Sequence, residues 1–256
     1  MKAATFNANS IRARMHIITR WLERESPDIL CLQETKMADS DFPEKEFRAM
    51  GYQSVFRGRK GRNGVATLSK SPPEYVRIGF DEEGSEGDRV ITTVIGGIPV
   101  VNTYVPQGIS PFSDEFRAKL DWLQRLYDYF GRHFSPRKPL LWMGDFNMAP
   151  EPEDVYAPEF LAGHVGFHPD EQAALERFRR WGMVDVFRMH HAGPGHYSFW
   201  DYQIRNAVKK GQGWRLDHIW ATRPLAKKST ACRIDVAPRL EPKPSDHTFV
   251  VAVFEI

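Results

Sequence analysis

Short runs of β-branched, aromatic and aliphatic residues recur from one end of the chain to the other. The segments KAATFNA, DILCLQ, YQSVFRG, GVATLSK, RVITTVI, IPVVNTY, PLLWMG, HYSFW, WRLDHIWA and TFVVAVFEI each read as a strand. Between them the period changes from two to about 3.6 residues. Over 113–132, Phe116, Leu120, Leu123, Tyr127 and Phe130 fall on one stripe, Ser113 is placed to cap, and Asp114 and Glu115 suit a first turn. Ile11, Met15, Ile18 and Leu22 define a second amphipathic helix over 11–24. A third starts at HPDEQAALERFRRW, with Pro169 at its first position and Gly182 after its end. Amphipathic helices cover sheet faces. Hairpin-like neighbours and helical crossovers occur together, which predicts mixed sheets rather than one parallel sheet. The expectation is an α/β protein of two packed sheets with helices outside.

The length of 256 residues supports a large core, and no Gly/Ser-rich or Pro-rich linker, charge block or repeat divides it. One domain spanning 1–256 is expected. A net charge of +2 and a pI near 8.5 permit a polyanionic partner without demanding one, so such affinity must come from local patches. Cys31 and Cys232 lie in apolar runs with no second pair for a zinc or disulfide framework, and both read as buried, reduced thiols. The start, MKAATFNANS, has no signal-peptide core, and no apolar run is long enough to span a bilayer. No membrane association and a cytoplasmic location follow as expectations.

The candidate chemistry lies where the apolar runs stop. In LLWMGDFNMAP, Asp145 and Asn147 stand two apart, which in extended chain puts both on one side with Phe146 turned inward. On that segment alone a turn is the simpler reading. Glu34 after DILCLQ, Asn7 and Asn9 in TFNANS, and Tyr104 after VVNT each have a similar structural explanation. Asp217 is the least ordinary, because a carboxylate among Trp214, Leu216, Ile219 and Trp220 must be paired to offset its desolvation. Asp246 and His247 offer an acid and a titratable base before the final strand. If the ends that carry Asn7, Glu34, Tyr104, Asp145, Asn147, Asp217, Asp246 and His247 share one rim, several carboxylates, two amides, a phenol and an imidazole converge. That oxygen-rich set suits Mg²⁺ or Mn²⁺, and a hard ion beside a base and a proton donor suits attack on a phosphate ester.

In this order, TFNANSIR, LQETK, GRNGVA, NTYVPQG, GDFNMAP, SFWDY, GWRLDH and KPSDH resemble the exonuclease III type of apurinic/apyrimidinic endonuclease over nearly the whole chain, from Asn7 to His247. The resemblance implies a four-layered αββα sandwich of the DNase I-like superfamily, Mg²⁺ dependence with Mn²⁺ as a substitute, and action by a monomer on duplex DNA at abasic sites and 3′ ends. Carried over motif by motif, it makes Glu34 the chief metal ligand, with Asn7 and Asp246 close to the same ion. It makes Asp145 and Asn147 an alternative second metal site, with Asp145 activating water and Asn147 orienting it. It pairs Asp217 with His247 at the phosphate and sets Tyr104 against the phosphate or leaving oxygen. Gly144 is expected to make the sharp exit from the strand. Phe199, Trp214 and Leu216 match a pocket for a flipped-out sugar, with Trp200 beside them. The chain departs from the family at Asn9, where some relatives have Asp, and at Gln107, where many have Asn. It also has Thr248 and Phe249 after the histidine, where Ala or Cys and Pro are common.

Basic residues interleave with small and aromatic ones at FRGRKGRNG and RNAVKKGQGWR, which are solvated loops unless they flank the site. Arg62 and Asn63, then Arg205, Lys209 and Lys210, are the candidate DNA contacts, together with Asn9 and Gln107. His190 and His191 lack a zinc spacing and read as surface or loop residues. Two alternatives remain: a phosphoinositide or sphingomyelin phosphodiesterase of the same fold, and a non-catalytic nucleic-acid-binding regulator. Against the regulator, Glu34, Asp145, Asn147, Asp217 and His247 are all present.

Overall fold

The computed structural model describes residues 1–81 and 83–256. Among these, the strands are β1 (Lys2–Asn7), β2 (Ile29–Gln33), β3 (Gln53–Arg59), β4 (Arg62–Ser69), β5 (Tyr75–Ile78), β6 (Val90–Ile95), β7 (Ile98–Tyr104), β8 (Leu141–Asp145), β9 (Met183–Asp185), β10 (Asp217–Thr222), β11 (Ser229–Asp235) and β12 (Phe249–Phe254). They form two six-stranded sheets, ordered β11-β12-β1-β2-β4-β3 and β5-β6-β7-β8-β10-β9. Each sheet is mixed and holds one parallel pair at its centre, β1 with β2 and β7 with β8. A long helix joins each pair, Ile11–Glu25 in the first and Asp114–His133 in the second. Parallel neighbours need such a crossover because a tight turn cannot reverse the chain twice.

The helices start and stop where local chemistry dictates. Ser113 Oγ accepts the Phe116 amide at 3.1 Å, and Asp114 and Glu115 occupy the positive end of that helix. Helix Pro169–Trp181 begins at Pro169 and ends before Gly182, whose φ of 128° a side chain would resist.

The central strands are buried on both faces, and their alternation sorts residues between two layers. Ala3, Ile29, Cys31, Leu141, Met143, Ile219 and Ala252 fill the space between the sheets. Ala4, Phe6, Leu30 and Leu32 point the other way, to Ile18, Trp21 and Leu22 of the first long helix. Trp142, Phe146 and Trp220 likewise meet Trp122, Leu126, Phe130 and Phe178. The layers are therefore helix, sheet, sheet, helix. Both cysteines are buried free thiols, and burial pushes the Cys31 thiol up to about 12.

Two expectations about strands need correction. HYSFW is a loop in which Phe199 makes isolated bridges to Trp214 and His247, and the Ser198 hydroxyl accepts from the Leu216 and Asp217 amides in place of a ladder. WRLDHIWA becomes a strand from Asp217 onward. Strands β5, β9 and β11 went unanticipated. All three are sheet edges; β9 has three residues, and β5 and β11 carry exposed positions that weaken the period-two pattern.

Candidate active site

Period two also explains how the site is built. Following the inward face of β1 through Ala3 and Thr5 leads to Asn7, and β2 through Ile29 and Cys31 leads to Gln33, with Glu34 next. The inward face of β8 ends at Asp145, and that of β10 begins at Asp217. The parallel strands end at one rim, and the antiparallel strands β10 and β12 start there. Polar groups thus take over where the space between the sheets opens. Beneath them Gln33 donates to Asn102 Oδ1 at 2.8 Å, and Asn102 donates to the Ala66 carbonyl at 2.9 Å, a buried polar floor joining the sheets.

The Asn7 amide donates to Glu34 Oε1 at 2.8 Å and to Asp145 Oδ2 at 2.7 Å, so one side chain links a carboxylate from each sheet. Asp145 and Asp217 are register partners on β8 and β10. His247 places Nδ1 2.8 Å from Asp217 Oδ2 and Nε2 3.9 Å from Asp145 Oδ2. Burial would depress the imidazole, but the Asp217 and Asp145 carboxylates outweigh it and raise His247 to about 10. Burial pushes Asp145 up to about 7 despite the opposing His247 charge. Tyr104 is held neutral, first by burial and then by the Glu34 and Asp145 charges. The Arg89 guanidinium lies 4.9 Å over the Tyr104 ring and donates to the Tyr104 carbonyl and to Asn63 Oδ1.

Several of these residues sit in left-handed backbone: Asn9 (φ 43°), Glu34 (47°), Lys36 (52°) and Asn147 (51°). Such conformations cost about 1 kcal/mol or more outside Gly and persist where surrounding contacts fix them. Asn147 therefore does not continue an extended chain from Asp145. A turn in which Asp145 Oδ1 accepts the Asn147 amide at 2.8 Å brings the pair together, so the turn itself makes the site. Phe146 faces inward as expected, stacked on Trp142 at 4.0 Å. Gly144 is not the exit; it lies within β8, where a Cβ would come 1.9 Å from the Thr103 carbonyl oxygen. Its role is to let β7 approach.

Asn9 is a hub inside the site. Its Nδ2 donates to Asp246 Oδ1 at 2.9 Å, and its Oδ1 accepts from Lys36 Nζ at 2.6 Å. Lys36 also meets Glu34 Oε2 at 2.7 Å. An aspartate at position 9 could not donate to Asp246 as the Asn9 amide does. Ser245 Oγ donates to the Asn7 carbonyl at 2.8 Å and accepts from the His247 amide at 3.2 Å, locking β12 to β1 at the rim.

A cavity of about 590 Å³ opens beside these groups, lined by Glu34, Gln107, Asn147, Phe199, Trp214, Leu216, Asp246 and His247. Phe199 stands 4.9 Å from the His247 ring. Trp200, grouped with them by sequence, is instead buried with Tyr197 and Ala207 and does not line this cavity. Arg62, Arg205, Lys209 and Lys210 are exposed and also lie outside its lining, while Asn63 is tied to Asp88 and Arg89. His190 is exposed and bonds Ser229; His191 bonds the Cys232 carbonyl.

Sequence reasoning passed over Arg89, Lys119, Ser198 and the role of Lys36. Lys119 did leave a signal, being a charge set between Phe116 and Leu123 on an apolar helical face. Arg215 is fully buried between two cavity residues and binds Asp154 and Asp185, which fixes the strand leading to Asp217. Asp154 is held down to about 2, the Arg215 and Arg188 charges overcoming its burial.

The donor set fits a hard divalent ion. Asp145, Asp217 and His247 bring ligand atoms within 4.8 Å of one another, and Glu34 is joined to them through Asn7. Asp217 Oδ1 is buried without a hydrogen-bond partner, and Asp145 is raised by burial and then by the neighbouring Asp217 charge, so a cation would find uncompensated carboxylate there.

Two mixed sheets under helices, with carboxylates and an imidazole at their common rim, define a metal-dependent phosphodiesterase fold. The chain belongs to the endonuclease/exonuclease/phosphatase family, whose model matches residues 4–247. It is 47% identical to an AP endonuclease from Archaeoglobus fulgidus, with a TM-score of 0.97 and complete coverage of both chains. It is 32% identical to a 3′-5′ exonuclease from Neisseria meningitidis (TM-score 0.95, both chains covered). Against exodeoxyribonuclease III of Haemophilus influenzae it is 32% identical over 268 residues, again across both full lengths. Among the described residues no helix is long and apolar enough to cross a membrane.

Proposed function

We propose that this protein is a Mg²⁺-dependent DNA-repair phosphodiesterase that incises duplex DNA 5′ to abasic sites, leaving a 3′-hydroxyl, and degrades duplex ends 3′ to 5′. The observation that carries the reading is the His247 imidazole between Asp217 and Asp145, lining a cavity to which Phe199, Trp214 and Leu216 contribute apolar wall. Glu34, Asn7 and Asp246 would hold the ion, with Asp145 and Asn147 as an alternative second site. Bound there, it supplies Lewis-acid polarisation of the phosphate.

The protein's own groups divide the remaining work. Asp145, with its carboxyl near 7, takes the proton from the attacking water. Asn147 lines the cavity beside it and orients that water or the phosphate. His247, kept protonated by Asp217, donates to the phosphate oxygen as its negative charge grows. Tyr104, a neutral phenol, donates to the phosphate or the leaving oxygen. Phe199, Trp214 and Leu216 exclude water and accept a baseless sugar, which flips out without unstacking a base. Arg62, Asn63, Gln107, Arg205, Lys209 and Lys210 track the phosphate backbone. The same reading takes residues 1–256 as one domain, acting as a monomer in the cytoplasm. Mn²⁺ is expected to substitute for Mg²⁺.

The test is incubation with a duplex carrying one abasic site, with Mg²⁺ and with excess EDTA. Incision on the 5′ side that chelation abolishes and Mg²⁺ restores is expected. An intact duplex product in Mg²⁺, or full activity in EDTA, would sink the reading.

A further inference from the structure

Lys119 is fully buried on the inner face of helix Asp114–His133, one of the most deeply enclosed side chains in the molecule. Its ammonium lies 3.0 Å from the Gln107 carbonyl and 2.8 Å from the Asn147 carbonyl, and it is ion-paired with Glu171. Glu171, equally buried, accepts the Gly166 amide at 2.7 Å and the His168 amide at 3.0 Å. Three irregular segments that wall the cavity, at Gln107 and Gly108, at Asn147, and at His164 to Gly166, therefore converge on one pair of opposite charges. A direct bond from the Ala149 amide to the Gly166 carbonyl, 2.7 Å, joins two of them again.

A buried ammonium is an expensive way to fill space. Burial pushes Lys119 down from its ordinary value, and the Glu171 charge works against that shift. Apolar residues of similar volume would usually pack such a position at least as stably. Carbonyls at irregular chain reversals, however, need donors that no ladder supplies, and Lys offers three on one nitrogen. Asn147 has left-handed backbone and its Nδ2 donates to the Val105 carbonyl at 2.9 Å, so the Lys119 contact fixes the third group of that residue.

We propose that Lys119 is a positioning residue for phosphodiester cleavage, holding the Asn147 and Gln107 segments in register, and that Glu171 ties the Gly166 wall to the same charge. This rests on the proposed function of the site. Lys119 acts through Asn147 and touches no substrate.

The experiment separates stability from turnover. Lys119→Met leaves an uncompensated buried carboxylate and should lower Tm. Adding Glu171→Gln removes that charge while keeping an acceptor for the Gly166 and His168 amides, so Tm should recover toward the unaltered protein. On a duplex with one abasic site, kcat of the double variant should nevertheless stay about ten-fold or more below that of the unaltered protein, with KM moving far less, the pattern of misplaced reacting groups. A double variant that recovers both Tm and kcat overturns the proposal. If neither Met variant folds, Lys119→Arg keeps the charge but cannot set one nitrogen on both carbonyls; a kcat loss on the same scale supports the proposal and an unchanged kcat overturns it. Failure of the unaltered protein to cut counts against the proposed function, whereas equal cutting by unaltered and altered proteins counts against the role of Lys119.

Discussion

Asp145 and Asp217 face each other across the β8–β10 pair, two fully buried carboxylates with the His247 imidazole 2.8 Å from the second and 3.9 Å from the first. The arrangement makes His247 the shared counter-charge of both. It also gives the acids different work, since Asp217 is hydrogen-bonded to the ring and Asp145 is not.

If Asp217 acts by orienting and charging His247, the two residues form one unit. Asp217→Asn and His247→Asn should each be severe, and the double variant little worse than the poorer single one. Fully additive losses in a kinetic cycle would contradict the pairing.

Asp145→Asn preserves shape and removes the proposed base. Turnover on abasic duplex should fall by roughly two or more orders of magnitude while DNA binding survives, on the scale of general-base loss. A variant nearly as fast as the unaltered protein would shift the proton acceptor elsewhere.

His247 is raised from 6.5 to about 10 in the fold, so the stability it adds is complete below about pH 6.5 and is lost as pH rises through about 10. Asp145, raised from 3.8 to about 7, loses its own contribution in the same direction but earlier. Between pH 7 and 10 the metal-free protein should therefore show a falling Tm, and His247→Asn should flatten that fall. Parallel Tm curves for the two proteins would remove His247 as the cause.

Phe199 and Trp214 wall the cavity beside His247. Phe199→Ala or Trp214→Ala should weaken discrimination between abasic and intact duplex more than it slows removal of a 3′ nucleotide. Timed digestion of the two labelled duplexes decides it. Equal loss of both activities would return these aromatics to a packing role.

What could be read beforehand was what periodicity encodes. Alternation along β1, β8 and β10 puts Asn7, Asp145 and Asp217 at the ends of inward faces, Glu34 follows directly where the apolar run of β2 stops, and the long helices follow from Phe116 to Phe130 and from Ile11 to Leu22. Edge strands β5 and β11 escaped because exposure blurs their alternation, and β9 because three residues are too few to show one. Lys119, Arg89 and Ser198 escaped because they act on backbone or aromatic groups of residues remote in sequence, and spacing carries no record of such contacts. Trp200 was misplaced beside Phe199 because adjacent residues in the loop face opposite ways, one to the cavity and one to Tyr197. The left-handed turn at Asn147 was half legible: its residue type announced the turn, but not that the turn would assemble the site.

Strand β12 lies between β11 and β1, so the segment with Asp246 and His247 is woven into the same sheet as Asn7 and Glu34, although synthesised last of all these groups. Asp145 and Asp217 come from the other sheet. A growing or partly unravelled chain thus holds fragments of the cutting centre but never the whole of it. A nuclease built this way is unarmed until β12 is seated between β11 and β1, and unseating that strand disarms it again.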